Sequence, residues 1–441
     1  MRSNDTIVAI ATPAGVGGIA VVRLSGPEAL PLALRHLDVE QLRPRHATYC
    51  RFDDLDDGVA VYYPAGYTGE PTVEFSCHGS QYLQQAIVQT LADSGARMAE
   101  AGEFTMRAFL NGRLNLSQAE AVADLVDAAT PAQHRLAVSQ LRGGYAQKLK
   151  EMRSQLVDLA SMLELELDFS QEDVEFADRR QLHGLLDKLS SMLASLIDSF
   201  ATGNAIKAGV PVVLVGRPNA GKSTLLNALL HDDRAIVSPI PGTTRDTIEE
   251  MLTLDGITFR LTDTAGLHDT DDELEIQGML RTRKACEEAY IVVEVWDATL
   301  PLDYMSDTVH DDGKHHIRVI NKCDKAESAW AVDGQQRGDT RFVALSALDG
   351  RGVDSLQRAL TEAVGQRQLQ EVMLSNPRHR DALVRVRHAV ERVQEGLDRG
   401  VPTDLVAVDM RDALYHLGTI TGEVATEDIL TNIFSHFCIG K

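Results

Sequence analysis

The sequence has few cysteines and no long apolar run. Its cysteines stand singly, at Cys50, Cys77, Cys286, Cys323 and Cys438. Because no C-x-x-C pair occurs, neither a zinc site nor a disulfide framework is indicated, and a reducing cytoplasmic compartment is favoured. No apolar run reaches the ~18 residues that a membrane span needs, so we expect no membrane association. The apolar stretch 6–22 contains Pro13 and follows Asp5 rather than a positive charge, which argues against a signal peptide.

Positive charge is also scarce. Lysine and arginine number 43 against 65 aspartates and glutamates, which gives a formal net charge of −22. This balance argues against bulk electrostatic binding of nucleic acid, although a local basic surface or a partner protein would still allow RNA binding. One arginine cluster is either an exposed helix face, which we favour, or a nucleic-acid contact: Arg378, Arg380, Arg385, Arg387 and Arg392. One acidic group is either a solvated helix end, which we favour, or a metal site: Glu164, Glu166, Asp168, Glu172, Asp173 and Glu175.

The length of 441 residues and the 44% hydrophobic content predict a folded chain of about three domains. Residues 1–116 read as an α/β domain, 117–205 as helical, 206–370 as alternating strands and helices, and 371–441 as helical again. Each helical block alone would bury little, so we expect one helical bundle into which the strand–helix domain is inserted. The fold class is therefore multidomain α/β plus α-helical, with a doubly wound sheet in the insertion.

The first domain carries the clearest secondary-structure pattern. Strands are predicted at 6–11, 18–24, 48–52, 59–63 and 72–77, and helices at 27–37 and 81–94. Five charges stand in otherwise apolar settings and are interpreted, on composition alone, as surface charges on strands: Arg23, Glu74, Glu103, Arg107 and Arg113. The helical pattern that follows is predicted to begin at a capping box formed by Ser117 and Glu120.

The most informative stretch is Gly216-Arg-Pro-Asn-Ala-Gly-Lys-Ser223, which has the spacing G-x-x-x-x-G-K-[ST] of a phosphate-binding loop. It follows the apolar run 212–215 and precedes the helical run 224–230. Glycines let the backbone curl with its N–H groups inward, and a helix that starts near Lys222 adds its positive end. The nucleotide contacts predicted here are Asn219, Ala220, Gly221, Lys222, Ser223 and Thr224. Lys222 is expected to reach the β- and γ-phosphates and Ser223 to hold Mg²⁺.

Further short motifs follow strands in the order expected of a GTP site. Asp263-Thr264-Ala265-Gly266 can hold a Mg²⁺ water and meet the γ-phosphate, and Thr244 in Gly242–Asp246 can ligate Mg²⁺ when that phosphate is present. Asn321-Lys322-Cys-Asp324 places a carboxylate where it can accept from N1–H and the 2-amino group of guanine. Adenine offers neither donor, so GTP is selected over ATP. Ser346-Ala347-Leu348 can offer backbone N–H groups to the guanine oxygen.

Many GTPases have a glutamine directly after this glycine, where it orients the attacking water. This sequence has Leu267 after Gly266 instead. One of the carboxylates in the loop 269–275 can take over this role, although most of them are expected to be an acidic switch loop. The phosphate-loop Asn219 is also unusual. Its amide oxygen can coordinate a monovalent cation, which would supply the positive charge that an arginine finger gives elsewhere.

These features together resemble the TrmE/MnmE family of tRNA-modification GTPases over essentially the whole chain. The glycine loop extends the match as Gly216–Asn227, with Gly242–Asp246 after it, and Phe437-Cys-Ile-Gly-Lys441 ends the chain. The N-terminal part of the resemblance rests on Asn4–Ala9, Thr12-Pro13, Gly17-Gly18, Arg23, Ser25-Gly26, Tyr67–Glu70, Gly102–Phe104, Arg107–Asn111 and Gln118–Ala121. The terminal Lys441 is incompatible with a prenylation box.

The resemblance implies a folate-binding and dimerising N-terminal domain, a helical domain, and an inserted Ras-like GTPase domain. It implies a homodimer that works with the FAD-dependent protein MnmG, in a heterotetramer or larger complex, on tRNA. The reaction would add an aminomethyl or carboxymethylaminomethyl group to carbon 5 of the wobble uridine. The one-carbon unit would come from a tetrahydrofolate derivative, 5-formyl- or 5,10-methylene-tetrahydrofolate. Potassium would bridge the nucleotide site, and pairing of GTPase domains would trigger hydrolysis.

The resemblance also assigns residues. Folate positions fall on Arg23, Glu74, Arg113 and Lys441. Potassium positions fall on Asn219, Ser238, Ile240 and Thr243, and Mg²⁺ positions on Ser223 and Thr244. The catalytic glutamate falls on Glu275, which agrees with the carboxylate required above. GTP contacts extend over Ser238, Pro239, Ile240, Pro241, Gly242, Thr243 and Thr244.

The sequence departs from the family pattern at Arg113, where many relatives have lysine, and at His268, where they often have arginine. The charge at Arg113 is kept but becomes a planar fork, whereas His268 is mostly neutral at pH 7. Cys77 is expected to be a buried small hydrophobe. Cys438 is either a functional thiol or a residue that only seats the tail, and we favour seating.

Two other functions are compatible with a GTP site. One is a ribosome-assembly GTPase switch that binds RNA and does no folate chemistry, and the other is a folate-binding aminomethyltransferase with a regulatory GTPase. The N-terminal α/β domain and the Cys-Ile-Gly-Lys ending argue against the first of these.

Overall fold

The computed structural model describes residues 5–168, 179–230, 249–263, 283–300, 313–337, 340–365, 372–435 and 437–440. It divides into two compact units, each described by itself below. The first comprises Met1–Val126, Gln140–Arg153 and Leu414–Lys441, and the second Asp127–Ser139 and Ser154–Ala413. Within the described residues, no helix combines the length and the apolar character needed to span a bilayer.

The first unit is built on a six-stranded sheet. Its strands are β1 (Ile7–Ile10), β2 (Ala20–Ser25), β3 (Thr48–Phe52), β4 (Asp56–Tyr63), β5 (Thr72–Cys77) and β6 (Arg97–Met98). They lie in the order β3-β4-β5-β2-β1-β6, with β1 and β6 parallel and the other neighbours antiparallel. In the chain, helix α1 (Ala29–His36) lies between β2 and β3, α2 (Gln81–Asp93) between β5 and β6, and α3 (Glu103–Leu110) after β6. The five strands and two helices expected from the pattern are confirmed, with small shifts at their ends.

The capping prediction at Ser117 is wrong. Helix α4 (Leu116–Asp127) begins one residue before it, and the reciprocal cap is formed by Asn115 and Gln118. The Gln118 amide donates to Asn115 Oδ1 at 2.8 Å, and the Asn115 amide donates to Gln118 Oε1 at 3.1 Å. Asparagine precedes the helix with the same three-residue spacing, and it satisfies the exposed amides of the first turn equally well.

The second unit contains helices on either side of a seven-stranded sheet in the sequence. Outside the sheet region, the further helices of the described residues are α5 (Pro131–Leu141), α6 (Gly144–Asp168), α7 (Arg179–Asp198), α8 (Phe200–Ala208), α11 (Pro377–Asp398), α12 (Thr403–Thr421) and α13 (Glu427–Phe434). Of these, α13 belongs to the first unit, and α5, α6 and α12 have residues in both units. Helices α7 and α11 pack on each other although the sheet separates them in sequence. Their buried stripes include Leu189 and Leu193 on one side and Val386 and Val390 on the other. The expected insertion into a helical domain is confirmed.

The sheet of the second unit has a parallel centre. Its strands are β7 (Val210–Val215), β8 (Glu249–Leu254), β9 (Ile257–Asp263), β10 (Ile291–Asp297), β11 (His315–Asn321), β12 (Gln336–Arg337) and β13 (Thr340–Ala344). The order is β12-β13-β11-β10-β7-β9-β8, and only the two outermost pairs are antiparallel. Helices α9 (Lys222–Leu230) and α10 (Val353–Val364) accompany it. The carboxyl ends of the five parallel strands therefore meet at one edge, where ligands of doubly wound sheets bind.

Candidate functional site

The phosphate loop connects β7 to α9, as the sequence predicts. Its backbone adopts positive φ at Gly216 (152°), Asn219 (63°) and Gly221 (95°). A Cβ on Gly216 would lie 2.4 Å from the carbonyl oxygen of Val295, and one on Gly221 would lie 2.3 Å from Asn321 Nδ2. Both positions therefore require glycine on two grounds, the backbone conformation and the space available.

Lys222 is buried at the start of α9, with 4% of its surface exposed. Its ammonium group donates to the carbonyl oxygens of Gly216, at 2.8 Å, and Arg217, at 3.2 Å. Ser223 and Thr224 follow in the first turn and are exposed. A lysine held inside a curled loop at a helix N-terminus suits a phosphate group, and the adjacent hydroxyl of Ser223 is a ligand that Mg²⁺ accepts.

Asn321 joins three loops at this edge of the sheet. Its Nδ2 donates to the carbonyl oxygen of Ala220 at 2.9 Å. Its Oδ1 accepts from the backbone amides of Lys322, at 2.8 Å, and Ala347, at 3.0 Å. One buried side chain thus fixes the phosphate loop against both segments predicted to recognise the base.

Asp324 is oriented by Ser346. The buried Ser346 hydroxyl donates to Asp324 Oδ1 at 2.9 Å, and Ala347 is also buried. Leu348, in contrast, is 80% exposed. A carboxylate fixed through one oxygen keeps acceptor capacity for the two adjacent donors of guanine. The structure brings together Asn219–Thr224, the Asn321–Asp324 loop and the start of the Ser346–Leu348 loop.

Other predicted nucleotide contacts are described only in part or not at all. Asp263 is the last residue of β9, where its backbone lies opposite Leu214 of β7. The segments 238–244 and 264–266 lie outside the described residues, as do Leu267, His268 and Glu275.

Two of the predicted folate residues form an ion pair in the first unit. Arg23 on β2 lies directly opposite Glu74 on β5, and Arg23 Nε donates to Glu74 Oε1 at 2.7 Å. The guanidinium group also lies 5.6 Å from the ring centroid of Phe104. Arg113 is exposed, and its Cγ would be 3.1 Å from a Cβ placed on Gly69.

The end of the chain reaches the same ion pair. Arg23 Nη1 donates to the carbonyl oxygen of Gly440 at 3.3 Å, and Ile439 forms an antiparallel bridge with Ala101. Gly440 has φ of 98°, and a Cβ there would lie 2.2 Å from the carbonyl oxygen of Ile10. Cys438 is exposed. The chain up to Gly440 therefore lies beside Arg23, whereas Lys441 is outside the described residues.

The same unit contains a buried charge network that the sequence interpretation missed. Arg107 Nη2 donates to Asp5 Oδ1 at 2.6 Å and to Glu103 Oε1 at 2.9 Å. Arg97 pairs with the same two carboxylates, and Glu70 lies 3.4 Å from Arg107. The side chains of Glu103 and Arg107 are only 6% and 7% exposed, and both lie on helix α3. Interpreting these two as surface charges on strands is therefore wrong, because both lie on a helix and each has the other as a buried partner of opposite sign.

The network keeps the carboxylates of Asp5 and Glu103 ionised. Burial by itself raises the pKa of Glu103, but hydrogen bonds from Arg97, the Glu100 amide and Arg107 lower it by more. The pKa of Asp5 is likewise below its usual range, because hydrogen bonds from Arg97 and Arg107 outweigh burial. The four-residue spacing of Glu103 and Arg107 is a sequence signal for their pairing. No comparable signal marks Asp5, which is about a hundred residues away.

Some arginines of the cluster on α11 contact other side chains of the protein. Arg392 donates to Asp409 at 2.6 Å and to Asp412 at 2.8 Å. Arg380 lies 5.1 Å from the ring centroid of Phe200. These contacts support the interpretation as an exposed helix face with its own partners. Cys77, as expected, is buried, and its thiol faces the carbonyl oxygen of Ala20.

Family models match two long segments of this chain. A model described as GTP-binding protein TrmE N-terminus matches residues 6–113. A model described as MnmE helical domain matches residues 116–438, a span that includes the seven-stranded sheet. Together they cover nearly the whole sequence.

Curated relatives match along their full lengths. A protein of Flavobacterium johnsoniae called tRNA modification GTPase MnmE is 43% identical over 466 residues, covering 100% of both chains. One of the same name from Cytophaga hutchinsonii is 44% identical over 453 residues, covering 99% of this chain and 98% of the relative.

Proposed function

This chain belongs to the MnmE family of tRNA modification GTPases, and on that premise we propose that it couples GTP hydrolysis to folate-dependent modification of tRNA. The protein is a GTP hydrolase of tRNA modification. Its finer chemistry is the subject of the proposal. The observation that carries the GTP assignment is the triple contact of Asn321, which holds the phosphate loop beside the oriented carboxylate of Asp324.

The nucleotide site works by placement and charge. Lys222 and the loop amides would bind the β- and γ-phosphates, while Asp324 and the Ser346–Leu348 loop would select guanine. Asp263 and the 264–266 segment would face the γ-phosphate. Mg²⁺ would be held by Ser223 and Thr244 and, when bound, supplies positive charge to the phosphates.

Potassium and the water-positioning group complete the proposal for hydrolysis. K⁺ would be held by Asn219, Ser238, Ile240 and Thr243, of which only Asn219 is among the described residues. Glu275 would orient the attacking water, because Leu267 offers no polar group for this task. The GTPase regions of two copies would pair across a homodimer.

The folate proposal rests on the first unit. Arg23 and Glu74, with Arg113 and Lys441, would bind a 5-formyl- or 5,10-methylene-tetrahydrofolate. The support is the Arg23–Glu74 pair together with the arrival of Gly440 at Arg23, since charged groups convergent with the chain end suit an anionic, hydrogen-bonding ligand. Cys438 would seat the tail. With an FAD-dependent MnmG partner, in a heterotetramer or larger complex in the cytoplasm, the one-carbon unit would pass to carbon 5 of the wobble uridine.

The domain limits belong to the same proposal. Residues 1–116 would be the folate-binding and dimerising domain, 206–370 the GTPase domain, and 117–205 with 371–441 one helical domain. The close match of a TrmE N-terminal model to residues 6–113 supports the first of these limits.

Three measurements test the proposal. Hydrolysis of GTP by the full chain should be faster in potassium than in sodium, because Na⁺ is too small to bridge the same ligands. Glu275→Ala should retain GTP binding and lose most hydrolysis. Mass analysis of wobble uridine from a deletion strain should show loss of the aminomethyl or carboxymethylaminomethyl group. Normal tRNA in that strain would refute the modification, and equal rates in both salts would refute the potassium site.

A further inference from the structure

A second link between the guanine loop and the phosphate loop passes through Asp297. This residue ends β10 and lies opposite Asn321 of β11. Its Oδ2 accepts from Lys322 Nζ at 2.7 Å, and its Oδ1 accepts from the amide of Thr299, at 2.9 Å, and its hydroxyl, at 2.7 Å. The side chain is 15% exposed. Both carboxylate oxygens of Asp297 thus accept hydrogen bonds from the protein.

Lys322 carries the link onward to the phosphate loop. Its Nζ also donates to the carbonyl oxygen of Asn219 at 2.7 Å. Both residues have left-handed backbones, with φ of 64° at Lys322 and 63° at Asn219. Non-glycine residues adopt this region uncommonly, so something in their surroundings must hold them there. The Lys322 ammonium group links the two positions, because it bonds both to Asp297 and to the Asn219 carbonyl oxygen.

Asp297 stays charged in this arrangement. Burial raises its pKa, but hydrogen bonds from Lys322 and from Thr299 lower it below the usual range. A charge-assisted hydrogen bond of this kind is about twice as strong as a neutral one. Both oxygens of Asp297 accept from Lys322 and Thr299, so we expect any effect on nucleotide binding to act through Lys322.

We propose that Asp297 is a positioning residue of the nucleotide site, holding Lys322 against the phosphate loop and thereby slowing the release of guanine nucleotide. The proposal rests on the GTP site described under the proposed function. It adds a residue outside the short motifs that define that site. Asn321 ties the same two loops through Ala220, so losing Asp297 should loosen the link without abolishing binding.

The test is the release rate of fluorescently labelled GDP from the full chain, measured by stopped flow with an excess of unlabelled GDP. Asp297→Asn keeps the size of the side chain and the acceptor for Thr299 but loses the charge. We expect release about tenfold faster than from the wild type, as for a lost charge-assisted hydrogen bond.

The matched control lies three residues earlier on the same strand. Glu294 pairs with Arg318 of β11 at 2.9 Å, and its side chain is 19% exposed. Glu294→Gln removes one charge from an equivalent ion pair of the same two strands. It should lower thermal stability and leave GDP release within about twofold of the wild type, since it does not lead to the phosphate loop.

A double-mutant cycle with Lys322→Met tests whether Asp297 acts on nucleotide release through Lys322. If Asp297 acts through Lys322, Asp297→Asn should accelerate release in the wild type and add little in the Lys322→Met background. An equal acceleration in both backgrounds, no acceleration at all, or an equal effect of Glu294→Gln would overturn the inference. Failure of the wild-type chain to bind GDP would instead overturn the proposed GTP site, so the two results are distinguishable.

Discussion

The two charged sites of this protein are built in opposite ways. At the edge of the seven-stranded sheet, the phosphate loop is shaped by glycines and tied by Asn321 through backbone groups. In the six-stranded unit, the centre is a cluster of side-chain charges in which Glu103 and Arg107 are almost fully buried. The nucleotide site uses few side chains to hold its shape, whereas the charge cluster of the six-stranded unit depends on side chains.

This difference determines what each site tolerates. Backbone amides keep their positions when a neighbouring side chain changes, provided that the loop can still curl. A buried carboxylate or guanidinium group cannot lose its partner without a large desolvation cost, because an uncompensated charge remains. We therefore expect the nucleotide site to be most sensitive to substitutions that change the backbone of the phosphate loop. The six-stranded unit should be most sensitive to substitutions that remove a charge.

The largest effect is expected from Arg107→Ala. It leaves Asp5 and Glu103 to share Arg97 and should cost about 3–5 kcal/mol of stability in the first unit. Hydrogen exchange of the β1 and β2 amides measures this locally. Arg51→Ala, which breaks an exposed pair with Asp57, should leave the same amides nearly unchanged.

Tryptophan fluorescence provides an internal reference for that experiment. The sequence contains two tryptophans, Trp296 and Trp330, and both belong to the second unit. The fluorescence transition should therefore stay close to that of the wild type while exchange in β1 and β2 accelerates. Unchanged exchange would show that the buried network contributes little and would remove the contrast between the sites.

The nucleotide site should respond most strongly to Gly221→Ala. The new Cβ would lie 2.3 Å from Asn321 Nδ2, at a φ of 95° that alanine rarely adopts. Displacement of the Asn321 side chain by this clash should reduce GTP affinity about 100-fold, measured by calorimetric titration. The control is Gly334→Ala, which has φ of 74° but open space around its Cβ, and costs only about 1–2 kcal/mol of backbone strain. Equal losses of affinity in both variants would show that backbone strain, and not the contact with Asn321, explains the result.

The same contrast explains how much could be predicted from the sequence. The nucleotide motifs are contiguous, and each follows a strand whose end the pattern locates, so Lys222, Asn321 and Asp324 could be placed before the structure was known. The insertion of the sheet into a helical domain could be predicted from the change of hydrophobic period, because α7 and α11 each present one apolar stripe.

The charge network could not be predicted in the same way. Asp5, Arg97 and Arg107 come from three separate segments, and composition alone favours a solvated surface for each. Local signals failed even nearby, since Asn115 and not Ser117 caps α4. Both residues are good caps, and the cap at Asn115 places Leu116, which is fully buried, at the first position of the helix. Long-range pairing is a property of the tertiary fold.

The smallest effect concerns pH and separates the two sites by the titration of one carboxyl group. The pKa of Glu103 is depressed in the folded chain from an ordinary value of 4.5. A depressed carboxyl pKa contributes stability that is present above the unfolded value and is lost as pH falls through the folded value. The amides of β1 and β2 should therefore lose protection as pH falls below about 4.5. In Glu103→Gln, which cannot titrate, this part of the pH dependence should disappear although protection at pH 7 is already lower. Glu40→Gln, at an exposed position, should follow the wild-type curve. An identical pH dependence in Glu103→Gln and the wild type would mean that the ionised Glu103 does not support the six-stranded unit, and the contrast with the backbone-built nucleotide site would then rest on Asp5 alone.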